Sequence, residues 1–525
     1  MKIISHKSAR LLVIFLVLLS AVVVALSLRQ QENVKGYKAK LLASGETLSL
    51  EKLAPRPVPP GQNSAAAFLE LTNLLDRDVA LSFLVSNPPP AMRLVAPGKA
   101  MIGWKRPVMR NGEATNTWEE TQAAVEQTGK ALLVLHSLIN SPVLVFEINY
   151  RQGPSLLLPH LVPLKVSAEL LSAAALCDLH RGDTASAVTN VRSMVALIKA
   201  TKDEPLVISQ LVRIAIAYLA FNVNWELLQA NDLTEEQLAA LQHDWVEAEF
   251  VPPAEHALLM ERAMVESALA RLRQSRRPFR DMTGSARAMA VSNSAAGHWL
   301  EHVTELSKTA WQGTKLKTEE TLWRYSWSYA DELRALKGGR VLLDTIRQAQ
   351  TSSYFKDALR EQENKLDALG FGALPRDTGS PVGSDLAATD IRWFFSKSIR
   401  SLEDYPRRIM TVEAARQMVI TAIALKRYQL KQGNYPPDLS ALVPEWLPAV
   451  PRDPVDGKPM RYQSAGKIFL LYSVGNDGVD NGGDPAPESA AGQFSWSGGR
   501  DYVWPQPATE REILADEQKL TIKRD

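Results

Sequence analysis

Near the middle of the chain two histidines stand four positions apart with a glutamate between them, at His298-Trp299-Leu300-Glu301-His302. On a helix, histidines at that spacing share a face and can both ligate zinc, and the adjacent glutamate can activate a metal-bound water. The chemistry predicted is metal-assisted hydrolysis. A third ligand has to come from elsewhere, and Glu361 and Glu363 are the downstream acids available. The chain's single cysteine, Cys177, rules out an internal disulfide and a cysteine-only zinc site. No glycine-rich phosphate loop, nucleophile elbow or dinucleotide fingerprint occurs. The cationic run Arg271-Leu-Arg-Gln-Ser-Arg-Arg-Pro-Phe-Arg280 suits anionic lipid or an acidic partner, or simply a solvated helix end.

The 525 residues allow roughly three domains. Hydrophobic residues at 46% and charged residues at 22% are the balance of a folded globular chain. Lys and Arg number 60 against 58 Asp and Glu, a net charge of +2 that excludes a nucleic-acid binder relying on counterion release.

The elements that must position any site are mostly helices. Residues 1–10 read as a short cytoplasmic tail, followed by an apolar run from Leu11 to Leu28 broken only by Ser20 and Ser27. At ~1.5 Å per residue the run covers about 27 Å, enough for a single membrane span. A cleaved signal peptide is the competing reading, with Ala25-Leu26-Ser27 as the cleavage site. Residues 29–62 read as a stem linker, closed by the proline-rich Ala54-Pro-Arg-Pro-Val-Pro-Pro-Gly61.

A helical body is expected over 63–369, as a bundle or solenoid, with a loop-rich connection at 91–115. Within it, Leu164–His180 stops at Arg181-Gly182-Asp183, Thr184–Thr201 follows, and Pro205 opens a third helix. Thr234-Glu-Glu-Gln237 is a capping box. The segment from Ala174 to Ala187 loosely resembles one tetratricopeptide unit, with no second copy at a fixed period. Residues 370–400, rich in Gly, Pro, Ser and Asp, read as an interdomain linker. Residues 401–510 then form a small α+β domain, and 511–525 a tail.

In that last domain an amphipathic helix, Val412–Lys431, ends at Gln432-Gly433-Asn434. Tyr435-Pro436, Leu442-Val443, Leu447-Pro448, Pro451, Asp453-Pro454 and Tyr462 follow in order. Tyr472-Ser473, Gly475, Asp477-Gly478 and Asp501-Tyr-Val-Trp504 complete the series. These residues resemble the globular head of type II secretion major pseudopilins. The resemblance covers about a quarter of the chain. It implies a calcium loop, and calcium takes six to eight oxygens from carboxylates and carbonyls of a flexible, glycine-bearing loop. Asp477 matches the family's ligand, with Asp480, Asp484, Asp501 and Ser473 as the further candidates. The family's short leader and its glutamate at the fifth mature position are missing around Leu11–Leu28, so the resemblance implies a borrowed head and not a pilus subunit.

The five-residue histidine pattern is that of the inverted zinc peptidases of pitrilysin type. Its flanks here, 285–297 and 303–308, carry no strand pattern of the kind that precedes the motif helix in that family. The leading expectation is therefore a mainly α, non-enzymatic inner-membrane protein. It has one span, an extracytoplasmic scaffold body, other envelope or secretion proteins as partners, and a calcium-stabilised head. A membrane-tethered zinc peptidase is the alternative.

Overall fold

Apolar residues at three- and four-residue spacing dominate the chain, and the protein is mainly helical, with 65% helix and 6% strand. A computed structural model describes residues 6–75, 79–107, 109–111, 114–140, 143–274, 323–372, 395–486 and 499–522. The elements before the body are α1 (His6–Ala43), α2 (Leu50–Leu53), α3 (Ala65–Leu75) and α4 (Val79–Ser86). Two short hairpins follow, β1 (Arg93–Ala96) with β2 (Lys99–Met101) and β3 (Met109–Asn111) with β4 (Ala114–Asn116). The stretch expected to be a loop thus has strands of its own.

After α5 (Trp118–Gln127) and α6 (Gly129–Ser137) come α7 (Leu161–Arg181), α8 (Thr184–Ala200), α9 (Val207–Leu227), α10 (Glu235–Glu247) and α11 (Val251–Gln274). Local chemistry sets their ends. Gly182 takes φ 78°, a left-handed conformation that stops α7, and its N–H closes on Asp178 and Leu179. Asp183 at once caps α8 by accepting from the Ser186 amide at 3.1 Å. The Thr234–Gln237 capping box opens α10, with both reciprocal bonds formed.

The remaining elements are α12 (Ser328–Ser352), α13 (Lys356–Ala368), α14 (Lys397–Ser401), α15 (Tyr405–Gln432), β5 (Arg461–Ser464), β6 (Phe469–Val474), β7 (Asp501–Val503), β8 (Gln506–Pro507) and α16 (Glu510–Ile522). β5, β6 and β7 form an antiparallel sheet, Arg461 facing Tyr472 and Tyr472 facing Val503.

Three expectations from sequence change here. The proposed stem is not an extended linker throughout, because α1 continues to Ala43 and buries Val34 and Leu41 against the body. The pseudopilin-like segment is not set apart from the body. Its helix α15 is buried nearly all round, including Ile409, Met418, Val419, Ile423 and Leu425, and shares one hydrophobic cluster with α7–α10. Its middle turns, from Met418 to Leu425, carry apolar residues on every side, and such a stretch has to lie inside a core. The Trp225 indole donates to the Pro505 carbonyl at 2.8 Å, Gln242 donates to Trp446, and β8 pairs in parallel with β2. Finally, the terminal tail is largely α16, whose Ile513 packs on Val95 and Met101.

Candidate functional site

The residues singled out around the glycine–aspartate loop are organised by one aspartate and one arginine. Asp453 is fully buried. Its Oδ1 accepts from the Val455 amide at 2.9 Å and from the Ser473 hydroxyl at 2.7 Å. Its Oδ2 accepts from the Val474 amide at 2.9 Å and from Arg461 Nη1 at 3.0 Å. This is why an aspartate precedes Pro454: its carboxylate staples the proline-rich turn to the central strand. Burial pushes its carboxyl up to about 6, against the hydrogen bonds from Val455, Ser473 and Val474 that favour the charge.

Arg461 reaches three acids at once. Besides Asp453 it donates to Asp456 from Nη1 and Nη2 at 2.9 and 2.6 Å, and from Nε to Asp480 at 3.1 Å. Burial works against the charge of Asp456 and Asp480, but hydrogen bonds dominated by Arg461 for the first, and by Gly482, Arg461 and Tyr472 together for the second, hold both below the usual carboxylate range. Of the tyrosines of the series, Tyr472 joins this network and the others tie down nearby turns. Tyr472 donates to Asp480 at 3.0 Å, Tyr462 to the Pro436 carbonyl at 2.9 Å, and Tyr502 to Asn476 at 2.5 Å.

The five predicted calcium ligands do not converge as a set of free oxygens. Ser473 uses its hydroxyl proton on Asp453. Asp477 is exposed and accepts from the Val479 amide at 2.9 Å. Asp480 belongs to Arg461, and Asp484 accepts from the Ala486 amide at 2.9 Å and Arg500 at 3.2 Å. Asp501, fully buried, accepts from the amides of Asn481, Gly483 and Asp484 at 3.4, 2.7 and 3.1 Å. Burial raises its carboxyl even so. The loop turns N–H groups inward onto a carboxylate, which is the opposite of the oxygen-lined cage that calcium needs. Gly475 lets the loop run this close, since a Cβ there would lie 1.9 Å from the Arg500 carbonyl oxygen. Among the described residues no group of three or more His, Cys, Asp or Glu could hold a metal. The residues do not fit the calcium site that the resemblance implies.

His298, Glu301 and His302 lie outside the described residues. Glu361 and Glu363 sit on α13, where Glu361 pairs with Lys365 at 2.7 Å. Of the cationic run, Arg273 is part of the packing: it donates to the Ser328 carbonyl at 2.8 Å and lies over the Tyr329 ring.

A second polar cluster, not anticipated from sequence, docks α1 to the body. Lys38 pairs with Glu266 on α11 and Glu332 on α12, and Arg273 also pairs with Glu332. Below it Glu46 meets Arg262, Arg340 at 2.6 Å and Arg347 at 2.6 Å. Burial opposes the Glu46 charge, but the Arg347 and Arg262 guanidinium groups hold its carboxyl low. Burial and then the neighbouring Glu332 push Glu266 up to about 7. The only sequence signal was charge inside apolar helical faces, at Arg262 with Glu266 on α11 and Arg340 with Arg347 on α12. Beside this cluster an apolar cavity of about 250 Å³ lies between α11, α12 and α14, lined by Leu258, Met264, Leu336, Leu342 and Ile399.

Comparison of the chain with protein-family models, with curated proteins and with solved structures finds no match.

Proposed function

We propose that this chain is a non-enzymatic, single-pass envelope scaffold. Residues 11–28 anchor it in the inner membrane, and the body and pseudopilin-like head face the other side as an interaction platform for envelope or secretion proteins. One observation carries the reading. α1 runs without interruption from an apolar, solvent-exposed stretch into a segment ion-paired to the body. Leu11, Phe15, Leu18 and Leu28 are 67, 61, 61 and 57% exposed, while Val34 and Leu41 are buried. Apolar side chains exposed on several sides of a helix over about 27 Å need lipid or a partner to cover them. By contrast Val207–Leu227, also long and apolar enough to cross a membrane, is a core helix, 61% buried.

Docking by Lys38 and Glu46 then holds the body against the end of the anchor, where a rigid scaffold is needed. The extracytoplasmic side follows from the head, which resembles domains that work outside the cytoplasm. The test is fractionation of cells expressing the full chain, followed by protease treatment of spheroplasts. The expected result is a carbonate-resistant membrane protein whose body is cleaved from outside. Extraction by carbonate, or a body protected in intact spheroplasts and cleaved only after lysis, overturns the proposal.

A further inference from the structure

Buried cations in this protein are compensated. Lys199 meets Asp244 at 3.0 Å and Glu247 at 2.9 Å, Arg416 pairs with Glu413, and Arg213 donates to the carbonyls of Ile198 and Glu249. Lys426 on α15 departs from this pattern. It is half-buried and, among the described residues, has no hydrogen bond or ion pair. Burial, then the proximity of Lys105, make its charge costly and lower its pKa.

Lys426 lines a cleft of about 120 Å³ where α15 and the end of α9 meet the turn between β5 and β6 and the segment Trp504–Pro507. A second lysine, Lys467, lines the same cleft from the exposed turn. No acidic side chain is among its described lining residues. Ala422, Phe469, Trp504 and Pro505 form an apolar part of the wall, beside the polar side chains of Gln229, Tyr435 and Gln506.

We propose that this cleft is a binding site for a small organic carboxylate carrying an apolar body. The carboxylate supplies the counter-charge that Lys426 lacks, with Lys467 as the second cation, and the apolar body fills the space against Phe469 and Trp504. Lysines act as compact point charges that pair with carboxylate and phosphate alike, so the choice between them rests on the wall of the cleft. A bare inorganic anion leaves the aromatic wall uncovered, which forfeits the burial of apolar surface. The site joins head to body, because its residues come from both, and its occupancy is independent of how the chain meets a membrane.

The experiment is lysine footprinting on the purified full chain in detergent. Acetic anhydride at low dose labels amines, and peptide mass spectrometry reads Lys426 against the exposed Lys130 on α6. Sodium benzoate is the probe, with sodium phosphate and sodium chloride at matched ionic strength as the other arms. A ligand of this size is expected to bind with a dissociation constant on the order of 1 mM. At saturating benzoate, acetylation of Lys426 should slow about tenfold with Lys130 unchanged, in line with near-complete occupancy. K467M should shift the benzoate midpoint upward by about threefold or more, the size expected for a partly screened charge. A422L, which narrows the cleft from the α15 side, should abolish the difference between benzoate and chloride while the far-ultraviolet spectrum stays the same. Equal labelling of Lys426 with and without benzoate overturns the proposal. So does protection by phosphate equal to that by benzoate, which would make the cleft a general anion site.

Discussion

Removing the Asp453 carboxylate is the sharpest test of how the head is held. In D453A the amides of Val455 and Val474 lose their acceptor inside a fully buried site, and the Ser473 hydroxyl keeps only the Val474 carbonyl at 3.2 Å. Each such orphaned group costs ~1–3 kcal/mol, and breaking a buried ion pair costs ~3–5 kcal/mol, but these terms overlap and do not add. Arg461 keeps Asp456 and Asp480, so the guanidinium is not abandoned. The lower end, about 3 kcal/mol, is therefore expected. Tenfold in an equilibrium corresponds to about 1.4 kcal/mol, so local opening should rise by roughly 10²-fold. Hydrogen exchange on the full chain, read by mass spectrometry on peptides carrying the Val455 and Val474 amides, measures this directly. D456A is the control: Asp456 accepts from Arg461 and from the Lys458 amide but holds no strand amide, so it should change exchange at those two positions by less than about tenfold. If D453A accelerates them by less than threefold, or accelerates α7–α9 equally, Asp453 is not the local staple described here.

Two further outcomes follow from the same structure. Because amides fill the acidic loop around Asp501, the melting temperature of the full chain should differ by less than about 1 °C between excess calcium and a chelator; a saturable rise of several degrees would refute the amide-filled loop. Glu266 titrates above its ordinary value, so its contribution to docking of α1 is fully present below about 4.5 and is lost as pH rises through about 7, with Glu332, Lys38 and Arg273 as the facing charges. After correction for intrinsic rates, exchange of the amides at 34–43 should be about tenfold faster at pH 8.5 than at pH 6, and E266Q should flatten that dependence; a wild-type chain with no pH dependence there refutes the assignment.

Much of the helical layout was legible because its signals are local. The stop at Gly182, the cap at Asp183, the Thr234–Gln237 box and the left-handed Gly433 each act within four residues, so a single sequence displays them. The strand positions around Tyr462 and Tyr472 were readable for the same reason, from alternation bounded by turn residues. The reading of α15 as amphipathic missed its burial, although the apolar residues of its middle turns, from Met418 to Leu425, run around the helix and were visible in the sequence. Glycine and aspartate spacing marks the loop from Gly475 to Asp484 but cannot say whether oxygens or amides point inward, which only the surrounding chain decides.

By itself, then, the amino-acid sequence determined where most helices begin and end, and that an apolar segment from Leu11 to Leu28 leads the chain. Tertiary structure alone decided that α15 lies in the shared core, that Arg461 gathers three aspartates, that Lys38 and Glu46 latch α1 to the body, and that Lys426 is left without a counter-charge. Caps and periodicity arise from neighbours a turn apart. The polar pairs form between residues brought together only when apolar faces are buried, such as Lys38 with Glu266 and Glu46 with Arg347, and such a partner leaves no mark at either position.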